Sequence, residues 1–125
     1  MIVHKHLIVR AEVAQPPIAP GFVEEWLQEL VDRIGMKVLG GPYANYVNVP
    51  GNRGVTGVVI IETSHIALHV WDEEEPGLLQ LDVYTCGAFD PDIVFDHIEE
   101  FEPVKVEYKY LDRENGLTEV AHDRD

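Results

Sequence analysis

The sequence is short of several things, and each shortage removes a class of explanation. Lysine and arginine together number nine against twenty-three aspartates and glutamates, a formal net charge of −14. Phosphate backbones are bound by clustered basic side chains, so no nucleic-acid partner is expected, and the acidic surface is read as a solubility device. The one cysteine, Cys86, cannot close an internal disulfide and suits a reducing compartment. No apolar run is long enough to cross a bilayer, and the start, "MIVHKHLIVRAEV", carries its charges inside the apolar stretch instead of ahead of it. Neither a membrane span nor a signal peptide is expected, and the expected location is the cytoplasm. The G-x-S-x-G pattern of a hydrolase elbow is missing, as are internal repeats and low-complexity tracts.

What remains is a chain of 125 residues, 46% hydrophobic, sized for one compact domain over 1–125. Segment 4–13 has an apolar centre flanked by alternation and is expected as a strand; "AQPPIAPG" follows, and its three prolines mark a loop. From Phe22 onward, Val23, Trp26, Leu27, Leu30, Val31 and Ile34 recur at helical spacing with acids between them, and Gly35 stands where a helix ends. Strands are expected at 36–39, 43–49, 55–61, 65–71 and 78–84, separated by "GGP", "PGNRG" and "DEEEPG", an order that suggests an antiparallel meander. Asp90 as N-cap and Pro91 as first helical residue signal a second helix carrying Ile93, Val94, Phe95, Ile98 and Phe101, closed by Pro103. Segment 104–110 alternates strictly, as a half-buried strand does, whereas "DRENGLTEVAHDRD" is polar enough to fray. The expected fold class is α+β: a two-layer α/β sandwich, mainly antiparallel, with two helices on one face and an open second face that invites another subunit.

Chemistry concentrates around "VVIIETSHIALHVW", where the polar knot Glu62-Thr63-Ser64-His65 separates two apolar runs. Ser64, His69 and Cys86 lie near it, with Thr56 upstream and Glu73 downstream; if the three strands around them are neighbours, these side chains can converge at one end of the sheet. Each has a plainer reading. Ser64 can satisfy turn backbone, Cys86 can be a small apolar residue at a strand end, and Trp26 and Trp71 can be core. His65 and His69 fall on one face of a strand, but no third ligand follows at a recognisable spacing, so no metal is expected. A Ser-His-acid hydrolase is excluded because the serine leads into a strand and not a helix, while a Cys-His pair stays open. These residues alone describe a small α/β domain with a candidate polar site.

The run "GVTGVVIIETSHIALHVWDE" followed by "LDVYTCG" resembles the short prokaryotic form of S-adenosylmethionine decarboxylase, a self-processing pyruvoyl enzyme. The likeness extends in weaker form to "KHLIV" and "AFDPDIVFDHIE", over most of residues 4–110. It implies that Ser64 attacks the Thr63 carbonyl, that the chain is cut between Thr63 and Ser64, and that Ser64 becomes the pyruvoyl cofactor. It implies further that His69 takes the Cα proton during elimination, that Thr56 steadies the processing intermediate, and that Cys86 returns a proton to the product carbon. The substrate, S-adenosylmethionine, would be held as a Schiff base on the pyruvoyl group, with Glu73 on its ribose hydroxyls and Trp71 beside it. Decarboxylation would supply aminopropyl groups for spermidine synthesis, and the family pattern implies a homodimer of processed protomers. Two departures stand out: the family usually reads Glu-Ser-His where this chain has Thr63 directly before the serine, and "DEEEPG" is longer than the usual link. Two other readings remain beside this one, a pyruvoyl-dependent arginine or ornithine decarboxylase and an unprocessed, non-catalytic homologue.

Overall fold

A computed structural model describes residues 3–122 of the chain. Chain order is β1 (Lys5–Val13), α1 (Pro20–Arg33), β2 (Val38–Val47), β3 (Gly54–Ile61), β4 (Ser64–Trp71), β5 (Gly77–Thr85), α2 (Pro91–Ile98), a 3-10 turn (Glu99–Phe101), β6 (Pro103–Asp112) and β7 (Thr118–Glu119). The strands form one seven-stranded sheet in the order β2-β3-β4-β5-β1-β6-β7, and every neighbouring pair is antiparallel. The meander β2 to β5 is the expected one, with β1 inserted between β5 and β6. Both helices pack on one face, so the expected two-layer α+β arrangement is the one formed.

Alternation along each strand decides which residues meet the helices. Leu7, Val9, Ala11 and Val13 of β1, Ile66, Leu68 and Val70 of β4, and Leu79, Leu81 and Val83 of β5 are buried against α1 and α2. Burial of each large aliphatic side chain contributes roughly 1.5–3 kcal/mol. From α1, Val23, Trp26, Leu27, Leu30 and Val31 close the core, and the Trp26 indole donates to the His97 carbonyl at 3.1 Å. The helix lies close on β3 because Gly57 faces it: a Cβ there would sit 2.8 Å from Val23 Cγ1 and 3.0 Å from Leu27 Cδ1. The other face of the sheet, bearing Ile8, Tyr43, Val58, Ile60, His65, His69, Gln80 and Asp82, has no helix over it; Ile8, Tyr43, Val58 and Ile60 are exposed there.

Three boundaries differ from the sequence reading. Pro20, the third proline of the expected loop, is instead the first residue of α1, where its fixed φ fits and its missing N–H costs nothing. The two expected strands at 36–39 and 43–49 are one strand, β2, and "GGP" is a pair of register shifts inside it instead of a turn. A proline is tolerated there because β2 is an edge strand, hydrogen-bonded only to β3. Finally, the tail expected to fray is ordered as far as His122: Asp112 Oδ1 accepts the N–H groups of Glu114 and Asn115, Lys5 Nζ meets Glu114 at 2.6 Å, and β7 pairs with the end of β6. Its polar side chains are satisfied by one another and by nearby backbone; 123–125 lie outside the described residues.

Candidate active site

The polar knot is a two-residue hairpin turn. Ile61 of β3 pairs with Ser64 of β4, so Glu62 and Thr63 form the link. Thr63 has φ 61°, the left-handed region. For a β-branched residue this conformation is disfavoured by roughly 1–2 kcal/mol, and the strain lies in the residue whose carbonyl precedes Ser64. Cys86, one residue beyond β5, comes opposite Thr63 because β4 and β5 run in register from His65 opposite Tyr84.

Three donors meet at this turn. The Thr63 hydroxyl lies 2.7 Å from the Glu62 carbonyl oxygen, the Cys86 thiol 3.2 Å and the Ser64 hydroxyl 3.3 Å. Thr63 Oγ1 also contacts Cys86 Sγ. Ser64 is buried, while Thr63 is exposed and Cys86 lies between. The Glu62 carbonyl is the feature that residue patterns missed, because a backbone atom has no signature in side-chain spacing.

A second group sits along the strand. Thr56 and His69 stand directly opposite one another in the β3/β4 register, with Thr56 Oγ1 3.1 Å from His69 Nδ1. Both face the open side, where an open cleft of about 350 Å³ is lined by His69, Ala67, Gln80, Asp82, Ile8 and Arg10. Four residues before His69, His65 shares this face and packs its ring 5.6 Å from that of Tyr84.

The third group closes the far end of β4. Trp71 Nε1 donates to Asn52 Oδ1 at 2.8 Å, and the two Glu73 oxygens accept the N–H groups of Gly51, at 3.1 Å, and Arg53, at 2.9 Å. Those hydrogen bonds, from Arg53 first and Gly51 second, hold the Glu73 carboxyl below the usual glutamate range. A carboxylate offers about four acceptor sites, so Glu73 keeps capacity for a further donor while pinning loop 50–53. Beside it lies a cleft of about 310 Å³ lined by Gly51, Trp71, Glu73, Glu74, Pro76 and Leu78. Among the signals that would have found this anchoring is the turn sequence "PGNRG", a glycine-bounded loop whose Gly51 and Arg53 N–H groups turn to one acceptor.

Convergence at one end of the sheet is therefore corrected. Within one chain Ser64, Thr63 and Cys86 gather at the turn, but Thr56 and His69 do not join them. His69 follows Ser64 by five residues in an extended strand, about 16 Å along it, and its side chain points to the opposite face.

Fold and turn define a class first: a two-layer α+β protein, half of its sheet uncovered, with a serine heading a strand beside a thiol. The sequence model described as S-adenosylmethionine decarboxylase matches residues 5–114. The chain is 33% identical over 121 residues to the S-adenosylmethionine decarboxylase proenzyme of Archaeoglobus fulgidus, covering 90% of this chain and 99% of that one. It is 36% identical over 109 residues to the proenzyme of Pyrococcus horikoshii, covering 85% and 73%. The crystal structure of the adenosylmethionine decarboxylase from Aquifex aeolicus VF5 matches with a TM-score of 0.68 at 25% identity, over 98% of each chain. This chain belongs to the S-adenosylmethionine decarboxylase family.

Proposed function

We propose that this protein decarboxylates S-adenosylmethionine after cutting itself between Thr63 and Ser64, and that the pyruvoyl group left on Ser64 is its cofactor. The observation that carries the reading is the turn: a threonine in the left-handed region directly precedes the serine that heads β4, with a thiol alongside. Ser64 Oγ attacks the Thr63 carbonyl carbon, the C–N bond to Ser64 breaks, and the hydroxyl proton passes to the freed amine. Relief of the strain at Thr63 favours that shift. A base then takes the Ser64 Cα proton as the Cβ–O bond breaks and the ester oxygen leaves in the Thr63 carboxylate; His69, oriented through its Nδ1 by Thr56, has the chemistry for this role. The dehydroalanine left at position 64 tautomerises to an imine, and water displaces its nitrogen as ammonia to leave the pyruvoyl carbonyl. The pyruvoyl carbonyl supplies the sink for the electron pair released as carbon dioxide departs. Cys86, at the same turn as Ser64, returns a proton to the product carbon. Trp71 and Glu73 line a cleft suited to an adenosine: an indole face for the base and a carboxylate for the ribose diol.

One chain leaves His69 and Thr56 away from Ser64, which supports a homodimer. A second copy laid on the open face with its strands reversed brings its own far half over the turn and covers Ile8, Val58 and Ile60. Each site then takes Ser64 and Cys86 from one protomer and the Thr56 and His69 pair from its partner.

Denaturing electrophoresis with intact mass tests the cut: two fragments meeting before Ser64 are expected, and a single uncut chain would favour a non-catalytic homologue. Carbon dioxide release is expected from S-adenosylmethionine; release from arginine or ornithine alone would overturn the substrate. Ser64→Ala and His69→Ala chains, each inactive, should recover about a quarter of the wild-type rate when co-expressed, because half of the dimers then hold one complete site. Sedimentation as a monomer, or no recovery, would overturn the shared site.

A further inference from the structure

We infer that the Thr63 hydroxyl is a positioning residue for the Cys86 thiol, a role that rests on the proposed reaction and goes beyond Thr63 as the point of cleavage. Three protons, on Thr63 Oγ1, Ser64 Oγ and Cys86 Sγ, lie within reach of the Glu62 carbonyl oxygen, which has two lone pairs. In the uncut chain all three are placed at once in one arrangement: Ser64 and Cys86 donate to the carbonyl, and Thr63 donates to Cys86 Sγ. Thr63 thus fixes the thiol from one side while Glu62 fixes it from the other.

The backbone makes the same point. Position 63 has φ 61°, where glycine or asparagine fits without strain and a β-branched residue does not. What threonine adds in that conformation is a hydroxyl aimed at the sulfur. A glutamate here could only accept a hydrogen bond when ionised, whereas threonine donates one. In the split enzyme the Ser64 hydroxyl is gone, and the Thr63 hydroxyl is the side-chain donor left beside the sulfur; once Cys86 has given its proton to the product carbon, that hydroxyl donates to the thiolate until solvent reprotonates it. Cleavage makes Thr63 the carboxyl-terminal residue of the upstream fragment, two residues beyond Ile61, the last paired residue of β3; the role in turnover requires this end to stay beside Cys86 after the cut, which the spectrum of the split protein reads.

Thr63→Val keeps shape and strain and removes the hydroxyl; Thr63→Ser keeps the hydroxyl. With a single cysteine in the chain, the S–H stretching band in a Raman spectrum reports this thiol alone. In Thr63→Val the band is expected to move to higher wavenumber and broaden, and in Thr63→Ser to match the wild type, in both the split protein and the uncut Ser64→Ala background. Thr63→Val should still split, with kcat lowered about tenfold at unchanged KM, and Thr63→Ser should restore kcat. An unmoved band in Thr63→Val, or a kcat equal to wild type, would overturn the assignment. A wild-type chain that neither splits nor decarboxylates would instead overturn the proposed function, while the band would still decide whether Thr63 holds the thiol.

Discussion

At one end of β4 two hydroxyls and a thiol crowd one carbonyl oxygen; at the other, one carboxylate collects two backbone N–H groups, one on each oxygen. The near end also holds a β-branched residue in the left-handed region. The far end is bolted: Gly54, at the foot of loop 50–53, leaves so little room that a Cβ there would lie 1.6 Å from the Val70 carbonyl oxygen. Under the proposed function, strain and crowded donors suit the bond to be cut and the proton to be moved. Satisfied backbone and close packing suit a surface that must recognise the same ligand repeatedly. The strand that joins them carries the helix-facing core on one side and the Thr56 and His69 pair on the other.

The contrast is broken most completely at the near end. Ser64→Ala should abolish the cut and decarboxylation together, leaving one species at the 14.1 kDa of the whole chain in a mass spectrum. Persistence of two fragments would show that another bond is attacked. At the far end, Gly54→Ala should cost at least about 3 kcal/mol, since the obstruction is backbone and cannot swing away. A urea midpoint equal to wild type would mean that β3 and β4 are less tightly joined than described.

Smaller effects sharpen the comparison. Thr63→Gly relieves roughly 1 kcal/mol of strain, so the chain should be slightly more stable and should split about fivefold more slowly than Thr63→Val. Equal splitting rates would remove strain from the mechanism. The smallest effect is local and follows pH. Because its carboxyl is held below the ordinary value of 4.5, Glu73 anchors the loop fully above that value and releases it as pH falls through the lower folded one. The amide signals of Gly51 and Arg53 should titrate together below pH 4.5 in an NMR series. Independent midpoints, or a shared one above that value, would contradict the anchoring.

Several elements could be read from the residues because each rests on a local rule. Asp90 caps α2, accepting the Asp92 N–H at 3.0 Å, and Pro91 is its first residue. The spacing of Val23, Trp26, Leu27, Leu30 and Val31 places α1 on the core. Other features needed the assembled sheet. Whether "GGP" turns the chain or bulges within a strand depends on β2 being an edge, and that is a property of its neighbours. The order found in the tail depends on Lys5 and His4, more than a hundred residues away, meeting Glu114.

The candidate site divides along the same line. Residue pattern singled out Ser64, Cys86, His69 and Thr56 as candidates, and two-residue periodicity put His65 and His69 on one face of a strand; that Thr56 stands opposite His69 came from the β3/β4 register. Where those side chains stand relative to one another came from three dimensions. An extended strand advances about 3.3 Å per residue and turns each side chain to the opposite face from the last, so five residues in sequence become opposite faces and separate ends in space. The meeting of three protons at the Glu62 carbonyl was likewise invisible beforehand. Its acceptor is backbone, and its donors are brought together only when a left-handed threonine closes the turn across from β5.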